Sequence, residues 1–151
     1  MTIHTAAPSP DLDDFLCFAV HSAGFAFNRV YRKPLAKLGL TYPQFLAMTV
    51  LWGADGVSVG ALGEKLALDT STLTPLLKRL EGMGLVVRRR AEEDERRVIV
   101  SLTAKGSAMR AEVGEIMRCV FDAADLTPEA FVKLTRDIQA LRRNLERAAQ
   151  P

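Results

Sequence analysis

A mainly α-helical fold with one small β element is the class this sequence predicts, and three observations carry the prediction. Apolar residues recur at helical spacing over most of the chain. Between Ser58 and Thr103 two short helical patterns are followed by a charged stretch in which apolar and basic residues alternate. Capping residues mark the starts of the helices on either side. Helix, tight turn, helix and hairpin in that order make a winged helix-turn-helix, flanked by long terminal helices. The class is therefore α+β, mainly α with a small β-wing.

The chain has 151 residues, 48% apolar and 25% charged, enough to bury one core and too few for two ordinary domains. Residues 1–10 read as a flexible tail and 11–151 as one domain. The opening residues lack a basic and apolar leader pattern, and no stretch reaches the roughly 18 apolar residues of a membrane span, so the protein is expected in the cytoplasm, away from membranes. The two cysteines stand 102 positions apart without C-x-x-C or paired-histidine spacing. That excludes a disulfide framework and a zinc site; neither metal nor cofactor is expected.

Ser9 and Pro10 suit the first turn of a long helix, with Asp11 well placed against its dipole. From Phe15 to Phe27 this helix is apolar nearly all round, which implies burial on more than one side, part of it against a second copy of the chain. Cys17, His21, Gly24, Asn28 and Tyr31 share one stripe. Gly39 ends it. Thr41, Tyr42 and Pro43 open a second helix whose Phe45, Leu46, Thr49 and Trp52 are expected inside.

Ser58 caps a short helix carrying Ala61, Leu62, Leu66 and Leu68. Asp69, Thr70, Ser71 and Thr72 then open the next, and Pro75 requires its start near Ser71 or a bend there. Leu73, Leu76, Leu77 and Leu80 form its buried stripe. Thr70, Ser71, Thr72, Thr74 and Lys78, with Arg79 at the margin, present short polar and basic side chains that a DNA major groove accepts. Gly82 and Gly84 end this recognition helix, and the wing spans 85–103. The net charge of +2 is too small to demand nucleic acid, but residues 78–105 hold eight Lys/Arg against five Asp/Glu. The positive excess sits where phosphates would be neutralised, and Arg88, Arg96 and Arg97 join the candidate contacts. A plain solvated hairpin is the competing interpretation of that charge. Thr103 caps a helix to about Asp122, and Thr127, Pro128 and Glu129 open the last, to about Arg147. Residues 11–40 and 104–147 are thus assigned to dimerisation helices and 41–103 to a DNA-binding head.

Asp94-Glu95-Arg96-Arg97-Val98, followed by Leu102-Thr103 and Gly106, resembles the wing of the MarR family of bacterial transcription regulators. The resemblance implies that Arg96 enters a minor groove from the wing tip, oriented by Asp94. Arginine suits a narrow minor groove, where negative potential is concentrated.

Leu16-Cys17-Phe18-Ala19-Val20, Tyr31, Leu40-Thr41-Tyr42-Pro43-Gln44 and Thr72 to Glu81 are similar to the organic-hydroperoxide-sensing, OhrR-like branch of that family, over nearly the whole chain. By that resemblance Cys17 is the redox sensor, Tyr31 and Tyr42 hydrogen-bond its sulfur, and Cys119 of the other subunit is the resolving cysteine of the two-cysteine type. Geometry adds a constraint. Tyr31 follows Cys17 by fourteen residues, roughly 21 Å along a straight helix at ~1.5 Å per residue, so the two can meet only between subunits. His21 stands where the branch commonly has a third tyrosine. One helical turn from Cys17, its imidazole either assists the thiolate or hydrogen-bonds within the interface. From the residues alone, Cys17 and Cys119 can equally be small hydrophobes, and the tyrosines core aromatics.

The function expected is a dimeric repressor that binds a pseudo-palindromic operator when reduced and releases it when an organic hydroperoxide oxidises Cys17. The alternative is a regulator of the same family gated by a small apolar or phenolic ligand, with Cys17 structural. A thiol peroxidase would need a thioredoxin-like βαβ pattern, which is missing; a constitutive architectural DNA binder would ignore oxidant and ligand alike. No enzymatic activity is expected.

Overall fold

Local capping chemistry decides where most of the helices begin. In the computed structural model, which describes residues 11–150, Asp11 accepts the N–H of Asp13 and opens one 3-10 turn, Leu12–Asp14. The tail 1–10, and with it the Ser9 cap and Pro10, lies outside the described residues. Phe15 is extended, so the first long helix, α1, runs Leu16–Ala36 and starts later than the expected opening at Ser9, Pro10 and Asp11. Gly39 at φ +67° then turns the chain, and Leu40 N–H closes back on Leu35 O.

Thr41 and Gln44 form a reciprocal capping box at the start of α2, Tyr42–Gly53. This helix is the centre of the core: Phe45, Ala47, Met48, Leu51 and Trp52 are all buried. Thr49 is exposed, contrary to the inward position expected of it, and its hydroxyl bonds Phe45 O. Ser58 caps α3, Val59–Leu66, by accepting Ala61 N–H, and Asp69 caps α4, Thr70–Gly82, by accepting Thr72 N–H. Pro75 is tolerated six residues into α4, and the stripe Leu73, Leu76, Leu77 and Leu80 is buried as expected.

The hairpin of β2, Val86–Arg90, and β3, Val98–Leu102, is joined by a third strand that the sequence pattern did not reveal. Val57–Ser58, β1, pairs antiparallel with β3, giving the sheet order β1-β3-β2. Val86 opposes Leu102 and Arg90 opposes Val98. Asp55 locks this sheet to the loop before it, accepting Leu102 N–H at 2.8 Å.

Thr103 caps the next helix as expected, but the single helix to Asp122 is interrupted. It is α5, Ala104–Ala108, then a 3-10 turn, Met109–Glu112, then α6, Val113–Ala124. The two ends answer to different neighbours. Gly106 in α5 is pressed against the Leu85 carbonyl and accepts Trp52 Nε1–H at 2.8 Å, whereas Ile116 and Val120 in α6 join the core against α1. The last helix, α7, Pro128–Ala148, is capped by Thr127 and contains no buried residue. Its apolar side chains Leu134, Ile138 and Leu145 are exposed.

Candidate functional site

The N-terminus of α4 is built to be presented. Asp69 Oδ1 accepts Thr72 N–H at 2.7 Å and Ser71 Oγ–H at 2.8 Å. The Ser71 hydroxyl first, and the Thr72 amide next, hold the Asp69 carboxyl below the usual carboxylate range. Thr74 Oγ1 donates to Thr70 O. With those internal bonds made, Thr70, Ser71, Thr72, Thr74, Lys78 and Arg79 all lie exposed on the face opposite the buried leucines. The helix keeps its apolar side for the head and offers its polar side outward.

The wing tip is ordered by the residue the sequence singled out. Asp94 Oδ1 accepts the Arg96 backbone N–H at 3.0 Å, and Arg97 N–H donates to Asp94 O at 2.9 Å. The side chains of Arg96 and Arg97 are exposed at the turn. Arg88 is different. Its Nη2 and Nε lie 2.9 and 3.2 Å from Glu81 Oε2, so the guanidinium ties β2 to the end of α4 instead of standing free for phosphate. Glu81 had no part in the sequence-based site, although a Glu and an Arg flanking a Gly-x-Gly turn was its available signal.

Cys17 is the second residue of α1, within the first turn, where unpaired backbone N–H groups favour negative charge. On the protomer it is exposed, together with Phe15, Leu16 and Val20. His21 is one turn on, its ring edge-on to Phe25 with centroids 4.7 Å apart. Tyr31 and Tyr42 do meet: their rings lie 4.5 Å apart in the core, and Tyr31 Oη–H donates to Met117 Sδ at 3.8 Å. Burial, and then Tyr42 beside it, push the Tyr31 phenol up to about 12; burial raises Tyr42 as well. Both hydroxyls stay protonated near neutral pH, and that of Tyr31 is the donor to Met117.

Cys119 is also exposed, the core positions of α6 being taken by Ile116 and Val120. Helices α1 and α6 run antiparallel, with Tyr31 beside Met117 and Lys37 ion-paired with Glu115 at 3.1 Å. Cys119 therefore lies near the level of Val30, thirteen residues from Cys17, or roughly 20 Å at ~1.5 Å per residue. A disulfide needs Cα atoms within about 7 Å, so the two thiols of one chain cannot pair. Among the described residues no cluster of His, Cys, Asp or Glu could hold a metal ion, and no helix is long and apolar enough to cross a membrane.

A helix-turn-helix with an ordered basic hairpin beside it defines a winged-helix DNA-binding protein, mostly helical with a small antiparallel sheet. Residues 29–113 match the family model described as transcriptional regulator SarA/Rot. The chain is 43% identical over 138 residues to the HTH-type transcriptional regulator TtmR of Methylorubrum extorquens, covering 91% of this chain and 71% of that protein. It is 37% identical to the organic hydroperoxide resistance transcriptional regulator of Bacillus subtilis, covering 86% and 88%. Reduced AbfR bound to DNA superimposes with a TM-score of 0.78 at 29% identity, over 92% of this chain and 95% of that one. AbfR with its disulfide formed matches with a TM-score of 0.63 at 34% identity, over 86% and 91%. The chain belongs to the MarR/SarA-type family of transcriptional regulators; it is a DNA-binding regulator and not an enzyme.

Proposed function

We propose that this regulator is a homodimeric, redox-sensing repressor that holds a pseudo-palindromic operator when reduced and releases it when an organic hydroperoxide oxidises Cys17. The observation that carries the reading is the position of Cys17 at the exposed N-terminal turn of α1, on a segment where Phe15, Leu16 and Val20 are exposed too. An apolar surround selects an organic peroxide over hydrogen peroxide. The relation to a hydroperoxide-resistance regulator and to a protein captured with a disulfide supports the same chemistry.

Dimerisation is supported by α7, whose Leu134, Ile138, Leu141 and Leu145 repeat at helical spacing on a helix with no buried residue. In the dimer an antiparallel copy of α1 brings Tyr31 and Tyr42 of one subunit towards Cys17 of the other. There the two phenol donors and His21 would hydrogen-bond the thiolate, Tyr31 exchanging the Met117 sulfur for it. The thiolate attacks the outer peroxide oxygen, the O–O bond breaks, and with one proton the products are a sulfenic acid and an alcohol. The partner's Cys119 thiol then displaces hydroxide from the sulfenic sulfur, leaving a disulfide and water.

Closing that bond draws α1 and α6 of opposite subunits together and alters the separation of the heads, which must span about 34–36 Å between half-sites. Thr70, Ser71, Thr72, Thr74, Lys78 and Arg79 read the major groove, while Arg96 and Arg97, set by Asp94, reach the minor groove and its phosphates. Non-reducing electrophoresis after one equivalent of cumene hydroperoxide tests the switch. A covalent dimer is expected in the wild type and in neither Cys17→Ser nor Cys119→Ser; no dimer in any of the three would refute the disulfide step.

A further inference from the structure

We propose that Glu81 is a positioning residue that locks the wing to the recognition helix through Arg88, so that one carboxylate sets the geometry with which the two DNA-reading elements act together. The inference rests on the reading of the wing as a DNA contact. Glu81 is the penultimate residue of α4, and Arg88 is the third residue of β2. Glu81 Oε1 accepts the Arg88 backbone N–H at 3.1 Å, while Oε2 accepts Nε and Nη2 at 3.2 and 2.9 Å. Both halves of the carboxylate are used.

The backbone contact matters because β2 is an edge strand in the order β1-β3-β2, so its outward N–H groups have no strand partner. Glu81 fills that edge from the recognition helix. Three convergent bonds fix a direction in a way one ion pair does not. The connection between α4 and β2 is Met83, Gly84 at φ +72° and Leu85, itself held by Gly84 N–H to Glu81 O and Leu85 N–H to Leu80 O, so Glu81 adds its bonds further along, on β2 itself. Beyond Arg88 the strand continues through Arg89 and Arg90 to the tip that carries Arg96. A small rotation at Arg88 becomes a displacement of the tip. The Arg88 guanidinium is thus spent on the brace, and its contribution to DNA binding passes through the wing.

Operator titrations with the full-length reduced protein separate brace from contact by sign. If Arg88 were a phosphate ligand, Glu81→Gln would free it and tighten binding, and Arg88→Ala would lower the salt slope by about one contact. The brace predicts the reverse: Glu81→Gln and Arg88→Ala each weaken binding roughly tenfold, and the double variant is no weaker than either alone. In both backgrounds the penalty of Arg96→Ala shrinks, because the tip is already misplaced. Arg96→Ala in the wild-type background tests the wing reading by itself. Amide exchange at Arg88, measured without DNA, tests the brace independently: faster exchange in Glu81→Gln is expected. Unchanged exchange, or tighter operator binding by Glu81→Gln, would overturn the proposal.

Discussion

The reading head and the terminal arms are made from the same residue types and end in opposite states. In the head, Leu62, Leu73, Leu77, Leu80, Leu85 and Val100 are fully buried, and the helix starts are closed by Thr41, Ser58, Asp69 and Thr103. In the arms, Leu16 is 62% exposed, Phe25 55% and Leu145 61%. The head is finished within one chain. In the proposed dimer the arms are half of a structure, and their exposed apolar side chains are what a partner copy would cover. Mutations in the head should therefore act on folding, and mutations in the arms on assembly.

The largest effect should come from Gly106→Ala. A Cβ there would overlap the Leu85 carbonyl and meet Leu102 Cδ2 at 3.3 Å, so α5 must leave the sheet. A loss of about 3 kcal/mol is expected in urea unfolding, with a change in Trp52 fluorescence because its indole bonds Gly106 O. Ile138→Asp probes the other region. It should raise the dimer dissociation constant by at least roughly 30-fold, about 2 kcal/mol, in sedimentation equilibrium, while far-ultraviolet circular dichroism of the head is kept. A fall in helix content out of proportion to α7 would contradict the division.

Smaller is Thr41→Ala, which removes the oxygen that accepts Gln44 N–H and should cost about 1 kcal/mol by thermal unfolding. Smallest is the acid response of the head. Asp69 and Glu81 have carboxyls held below their ordinary values, by Ser71 and by Arg88 respectively. A depressed folded-state value contributes stability above the unfolded value, near 4, and that contribution is lost as pH falls through the folded one. Urea midpoints should therefore be insensitive to these groups between pH 7 and 5. Below about pH 4 the slope should flatten in Asp69→Asn and Glu81→Gln.

What the sequence disclosed follows the same division. Helix starts were legible because a cap is chemistry between neighbours: Thr41, Ser58, Asp69, Thr103 and Thr127 each close on a residue three positions on. Strand β1 was not legible, since two residues carry no periodicity and their partners lie more than forty positions away. The 3-10 break at Met109–Glu112 arises from competing contacts at the ends of a helix, which no local pattern encodes. Of the site, the exposed face of α4 was readable from spacing, and Asp94 at the wing tip from the family resemblance. The diversion of Arg88 to Glu81 was hidden, because charge counts do not say which charges are already paired. Cys17 looked buried because its helix is apolar all round, yet in the protomer that surface faces outward.

The proposed switch joins the two regions: oxidation in the arms would release DNA from the head. The most direct test is the affinity of the reduced wild-type protein for its operator before and after one equivalent of cumene hydroperoxide, beside Cys17→Ser. Peroxide is expected to weaken wild-type binding at least roughly tenfold, about 1.4 kcal/mol, a thiol reductant to restore it, and Cys17→Ser to bind equally well in both conditions. Equal affinity of the wild type before and after oxidation, or release from Cys17→Ser as complete as from the wild type, would contradict it.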